Sequence, residues 1–229
     1  MIGYAIITAP RPRSTLTESY SSFRRAGFLG DVTVFAEPGA DVVISDGAFV
    51  IQNEAKLGNL RNWVRALSTL LTVSRHEFLM ISEDDISWAS GACELLHAEL
   101  PRLDLLTIGG MSLYLPRRHA KHMKALPVAK GWIPGNLGPG TWGFQCMVFR
   151  RDQAERLLNS VHLKSCLANL RWDKNVDRIV GESIMRAGED ILYRVPCLVD
   201  HDLGDANSSL GYRPDRPDLR TDHFAGPRA

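Results

Sequence analysis

The sequence predicts a single α/β domain: a mixed, mostly parallel sheet flanked by helices. Three observations lead there. Short apolar and β-branched runs alternate with amphipathic helical stripes through the first half of the chain, the pattern of parallel strands joined by helical crossovers. The chain has 229 residues and is 45% hydrophobic, enough for one sizeable core. No internal repeat or low-complexity linker divides it.

Residues 3–8 form an apolar run that ends in Ala9-Pro10-Arg11-Pro12, hence a strand and a loop. Ser14 to Ala26 reads as a helix closed by Gly27, with Leu16, Tyr20 and Phe23 on one face. Residues 31–36 are β-branched and aromatic, a strand. Two short apolar runs around Ser45-Asp46-Gly47 suggest a hairpin at 42–51. From Leu57 to Val73, Leu60, Trp63, Val64, Leu67, Leu70 and Leu71 make a helical stripe. Residues 77–82 are a buried strand, 89–100 a helix broken by Pro101, and 103–108 another strand. The Gly- and Pro-rich stretch 111–141 reads as irregular. A strand at 142–149, a helix from Arg151, a helix at 173–187 and a strand at 191–199 follow; Pro196 puts the last near an edge. Residues 1–211 are the expected domain and 212–229 a polar tail.

Bulk composition narrows the functional classes. A net charge of +1 gives no general attraction to polyanions. Cys93, Cys146, Cys166 and Cys197 lie in no paired spacing and read as reduced core residues of a cytoplasmic protein, or of host cytoplasm for a viral one. No run reaches the ~18 apolar residues of a membrane span, and the first residues enter a strand directly, without a signal peptide.

In sheets of this kind ligands bind beyond the carboxyl ends of the strands. Ser82-Glu83-Asp84-Asp85 stands at such an end, after Phe78-Leu79-Met80-Ile81. Adjacent carboxylates repel one another, and a shared divalent cation stabilises their ionised forms; oxygen ligands select magnesium or manganese. The plainer alternative is an acidic turn capping the next helix. Gly135, Gly138, Gly140 and Gly143 allow close backbone approach to a ligand, or form a surface loop. Trp132 and Trp142 offer faces for a sugar ring, or are core. Arg11 and Arg13 suit a diphosphate, or are solvated. Between Leu105 and Arg151 there is no acid but there are seven cations, Arg117, Arg118, Lys121, Lys124, Lys130, Arg150 and Arg151. Such a run is a solvated face, a diphosphate site or a nucleic-acid surface over 117–151.

Taken in order, these pieces resemble the GT-A-fold glycosyltransferases, especially the group around the lipooligosaccharide and procollagen galactosyltransferases and related N-acetylglucosaminyltransferases. Thr8 to Arg13 resembles the first donor-binding loop. Ala26-Gly27-Phe28 with Val32 to Phe35 resembles a helix end and second strand. Leu57-Gly58-Asn59 with Asn62 and Trp63 resembles the helix before the acidic motif. Phe78 to Ile86 resembles that motif, with Glu83, Asp84 and Asp85 in place of a simple Asp-x-Asp. Gly140 to Gln145 resembles the glycine loop, Asn175-Val176-Asp177 the catalytic-base segment, and Val195 to His201 with Ser208-Ser209 the C-terminal motif.

The resemblance implies a metal-dependent, inverting transfer of a sugar from a nucleotide-diphosphate donor, expected to be a UDP-sugar, to a glycan or other hydroxyl acceptor. It implies Asp177 as general base, with Glu182 in reserve; Asp85, Glu83 and His201 on Mn2+ or Mg2+, with His223 as a rival; and Thr8, Arg11, Arg13, Glu37, Asn62, Asp84 and Gly143 around the donor. A neutral imidazole favours manganese. Which two of the three acids face the metal stays open, as does a first-turn acid reading of Asp177 with Asp173 as helix cap. Two other functions compete: a phage-type enzyme modifying hydroxymethylated DNA bases, motivated by the basic run, and a non-catalytic nucleotide-sugar binding module.

Overall fold

The computed structural model describes residues 2–44, 47–123, 130–135, 140–169, 176–201, 221 and 224–226. Its strands in chain order are β1 (Ile2–Thr8), β2 (Val32–Ala36), β3 (Ala48–Gln52), β4 (Phe78–Glu83), β5 (Ser87–Trp88), β6 (Ile108–Ser112), β7 (Gly131–Pro134), β8 (Cys146–Arg150), β9 (Asp190–Val195) and β10 (Val199–Asp200). The helices are α1 (Leu16–Arg25), α2 (Asn59–Val73), α3 (Ala92–Glu99), α4 (Arg117–His122), α5 (Arg151–Asn159), α6 (Val161–Ala168) and α7 (Val176–Arg186). Together they make one α/β domain.

Eight strands form one sheet in the order β3-β2-β1-β4-β8-β6-β9-β7. The β3-β2-β1-β4 half is wholly parallel. Strand β8 then runs antiparallel to both β4 and β6, β9 is parallel to β6, and β7 closes the far edge antiparallel to β9. The carboxyl ends of β1 and β4 are therefore neighbours, with Ile7 paired to Glu83.

Strand periodicity divides the core. Ala5, Ile7, Leu79 and Ile81 face one way, onto Leu60, Trp63, Leu67 and Leu70 of α2 and Val180 and Ile184 of α7. Tyr4, Ile6, Phe78 and Met80 face the other way, onto Leu16, Tyr20 and Phe23 of α1 and Leu96 of α3. Each fully buried side chain of this size contributes about 1.5–3 kcal/mol against exposure, so both faces need their helices.

Several sequence expectations are corrected. No hairpin occupies 42–51 among the described residues; Ala48–Gln52 is an edge strand parallel to β2. The strand expected at 103–108 lies at Ile108–Ser112. A Cβ at Gly109 would stand 2.5 Å from Ile184 and one at Gly110 2.7 Å from Phe149, so the two glycines admit close packing. The 111–141 stretch contains α4 and β7. The strand expected at 191–199 is two, split at Pro196, and the outer edge belongs to β7. The expected tail is not wholly free: buried Thr221 donates its N–H to Asp200 and Phe224 bridges to Cys197. All four cysteines are buried and unpaired. Among the described residues no helix is long and apolar enough to cross a membrane.

Candidate functional site

The strand ends at Glu83 and the chain bends at Asp84 and Asp85, and the three acids part there. Asp84 turns toward the loop after β1. Its Oδ1 accepts from Arg11 Nε at 3.1 Å and Nη2 at 2.6 Å, and its Oδ2 accepts from the Thr8 hydroxyl. Glu83 and Asp85 turn to the other side. The β5–β10 pair, with Asp200 opposite Ser87, carries His201 back beside them from far along the chain. Ligand atoms of Glu83, Asp85 and His201 all lie within 4.8 Å of one another.

Arg11 bridges the two sides, its Nη1 2.9 Å from Asp85 Oδ2. His201 Nε2 reaches the same oxygen at 3.0 Å. That approach is an ion pair, and no other partner of either ring nitrogen is found among the described residues. Asp85 Oδ1 is buried with no side-chain or backbone partner within hydrogen-bond geometry among the described residues. Leaving such an atom unsatisfied costs about 1–3 kcal/mol, more when charged.

The titration behaviour follows from this crowding. Burial and the neighbouring Asp85 push Glu83 up to about 8. Burial raises Asp84 despite its Arg11 contact. Burial acts on Asp85 in the same sense, but His201 and Arg11 outweigh it and hold that carboxyl well below the usual range. Burial opposes a charge on His201, yet Asp85 carries it up to about 9.

Asp177, in the first turn of α7, lies close enough to feel Glu83 and His201 electrostatically. Its Oδ1 accepts the backbone N–H groups of Gly143 at 3.0 Å and Phe144 at 2.9 Å. No hydrogen bond reaches its Oδ2 among the described residues. Burial raises its pKa, and the two N–H groups pull it back in part. One oxygen is thus anchored and the other available, the arrangement a positioned base requires.

Other expected residues fall elsewhere. Both oxygens of Glu37 accept from the Leu57 and Gly58 N–H groups, at 2.9–3.1 Å, so it anchors the start of α2. Asn62 is buried between Asn53 and the Phe35 carbonyl, a structural role. The Arg13 side chain is 81% exposed and lies 3.5 Å from Glu18. Glu182, the reserve base, is held by Arg178 at 2.9 Å and His162 at 3.1 Å. Gly143 acts through its N–H, at φ +109°, where a Cβ would stand 2.6 Å from the Tyr114 carbonyl. Trp132 donates to Glu99 at 2.7 Å. The basic run is not one face: Arg150 pairs with Asp152, and Arg151 donates to the Leu71 and Ser74 carbonyls. Lys124, Gly138, Asp173, Asn175, Ser208, Ser209 and His223 lie outside the described residues.

Sequence reading missed Tyr114 and Tyr193, and counted His119 only with the basic run. Tyr114 is 1% exposed, its ring is 6.3 Å from that of His201, and its hydroxyl has no hydrogen-bond partner among the described residues. Two of the three sit in the stretch read as irregular, where no periodicity marks them. No model of a known protein family matches this chain, and no curated protein matches it in sequence.

Proposed function

We propose that this protein is a metal-dependent glycosyltransferase of the GT-A type, acting from a nucleotide-diphosphate sugar, expected to be UDP-linked. The observation that carries the reading is the convergence of Glu83, Asp85 and His201, with one buried Asp85 oxygen lacking a hydrogen-bond partner among the described residues. A donor set of two carboxylate oxygens and one imidazole nitrogen fits manganese, and less well magnesium. When bound there, the ion supplies positive charge against a diphosphate leaving group.

The chain's own groups supply the rest. Asp84 and Thr8 fix Arg11 at the mouth of the β1–β4 edge, a second cation for a diphosphate. Asp177 takes the proton of an acceptor hydroxyl at Oδ2 while the Gly143 and Phe144 N–H groups hold Oδ1 still. Inverting stereochemistry follows the resemblance. A nucleic-acid acceptor has less support, because Arg150 and Arg151 are engaged within the fold.

Thermal melting with UDP tests the reading. With manganese present and UDP near a hundred times its Kd, stabilisation is about 2.7 kcal/mol, or about 5–10 °C for a domain of this size. Equal stabilisation in chelator would remove the metal from the account. Release of UDP from a UDP-sugar separates an enzyme from a binding module.

A further inference from the structure

The segment 142–144 is held from every side, and none of the residues holding it is part of the acidic cluster. His119, on α4, is fully buried. Its Nε2 lies 3.0 Å from the Gly135 carbonyl oxygen. A carbonyl only accepts, so Nε2 carries the proton and Nδ1 is left as an acceptor. Nδ1 receives the Trp142 N–H at 3.3 Å. Burial lowers the ring's pKa against the opposing pull of the Gly135 and Gly140 backbone, toward the neutral form in which both bonds hold. On the other side of the same residue the Tyr193 hydroxyl, from β9, donates to the Trp142 carbonyl at 3.0 Å. The two clamping rings lean on each other, centroids 4.7 Å apart. The Ser112 hydroxyl reaches the next carbonyl, that of Gly143, at 2.5 Å. The N–H groups that follow, of Gly143 and Phe144, are the two that Asp177 Oδ1 accepts.

We propose that His119 and Tyr193 are positioning residues for Asp177, acting through the Trp142–Phe144 backbone. They pin both polar groups of Trp142, so that the next two N–H groups point at one carboxylate oxygen and leave the other free. The role assigned to Asp177 rests on the glycosyltransferase reading; the clamp does not. A buried histidine serving only the core needs partners of any kind. This one ties the strand end at Gly135 to the loop that touches the base. A misplacement of about 1 Å at a reacting group costs up to about a hundredfold in rate.

The test compares His119→Leu, His119→Asn and Tyr193→Phe in the full chain by two independent measurements. The first is amide hydrogen exchange. In His119→Leu the Gly143 and Phe144 amides are expected to exchange about tenfold faster or more, with β1 and β4 amides unchanged. Asn offers an acceptor oxygen near the Nδ1 position and restores most of the protection. The second is hydrolysis of UDP-galactose and of UDP-N-acetylglucosamine with manganese. In His119→Leu kcat is expected to fall about 10- to 100-fold with KM for the donor within about twofold, and His119→Asn recovers it. Unchanged exchange at Gly143 and Phe144 in a folded His119→Leu overturns the clamp. So does a KM that rises as much as kcat falls. If His119→Leu does not fold, Tyr193→Phe removes one hydroxyl and keeps the ring, and its exchange decides. If the unaltered protein hydrolyses neither donor, the glycosyltransferase reading is what fails, and the exchange result still stands for or against the clamp.

Discussion

The two ends of β4 carry the same kinds of residue in opposite circumstances. At the amino end, where Phe78 pairs with Arg150, Asp152 is held by Arg150 at 2.6 Å and Arg156 at 2.8 Å, and Arg156 also meets Glu189. At the carboxyl end Asp85 is held by Arg11 and His201. Both aspartates sit well below the usual carboxylate range, Asp152 through its hydrogen bonds to Arg150, Asp85 through charges that outweigh its burial. The lowered pKa therefore does not mark a site; structural ion pairs produce it too. What differs is satisfaction. The Asp152 and Arg156 side chains are 44% and 42% exposed and shared with water. The carboxyl end is buried, holds three adjacent acids, and leaves an Asp85 oxygen and the His201 ring without hydrogen-bond partners among the described residues. That end is the one where we propose a metal ion binds.

The largest effect is expected next to that end. Asp177→Asn keeps the shape and both N–H contacts to an oxygen but deletes the base. Turnover is expected to fall about a hundred- to ten-thousand-fold, with donor affinity near normal, because the base acts on the acceptor in the transition state. Steady-state kinetics at saturating donor and a binding titration check this together. A fully active Asp177→Asn protein would remove the base from the account, and Glu182, tied to Arg178 and His162, offers no replacement.

Proton competition comes next. Without metal, Glu83 titrates at about 8 and His201 at about 9, so below pH 8 both hold protons that a metal must displace. Apparent manganese affinity is expected to rise about tenfold per pH unit for each proton released, hence about a hundredfold per unit from pH 6 to 8. Titration calorimetry in two buffers of different ionisation heat counts those protons. The linked stability has a fixed sign. Both folded pKa values are raised above the ordinary 4.5 and 6.5. Their contributions are complete below those values and are lost as pH rises through 8 and 9. The metal-free protein should therefore melt lower as pH climbs from 6.5 to 9, and manganese or magnesium should flatten that slope. A pH-independent manganese affinity would mean that these two groups do not bind it.

Asp85→Asn sharpens the same contrast. Removing one anionic ligand is expected to weaken manganese binding by about a hundredfold, at least the effect typical of losing a supporting contact to a metal ligand. Asp84→Asn should act indirectly, by loosening Arg11. Unchanged manganese affinity in Asp85→Asn would break the distinction between the two ends.

These distinctions were only partly legible in the sequence. An apolar run followed by acids announces a strand end with charge, so Glu83, Asp84 and Asp85 could be read directly. Their division of labour could not, because Asp84 is claimed by Thr8 and Arg11 through the β1–β4 register. His201 was reachable only through resemblance, since the two-residue β5–β10 pairing that delivers it is too short to leave a periodic signal. In sequence an acid after a strand looks the same whether it meets a ligand or, as Glu37 does, the backbone at the start of the next helix. The Gly109-Gly110 strand was shifted because local punctuation and close packing call for the same residue. Tyr193 was hidden for the opposite reason, as an aromatic residue in a strand that reads simply as core.

The smallest expected effect tests the amino end of β4. Asp152→Asn weakens two ion pairs that solvent already screens, and exposed pairs of this kind contribute about 0–1 kcal/mol. Asp152 also lies in the first turn of α5, where a negative charge adds about 0.3–1 kcal/mol against the helix dipole. The amide still accepts from Arg150 and Arg156, so these losses are not complete. The net change should be about 1 kcal/mol or less, no more than about 4 °C in melting temperature for a domain of this size. It should shrink further at 1 M salt, where the screening length is about 3 Å. Manganese affinity and its pH dependence should not move. A change in manganese binding, or a loss far above this range, would mean that the two ends of β4 are coupled, and that the arginine network at the start of α5 supports the acidic corner instead of only decorating the surface.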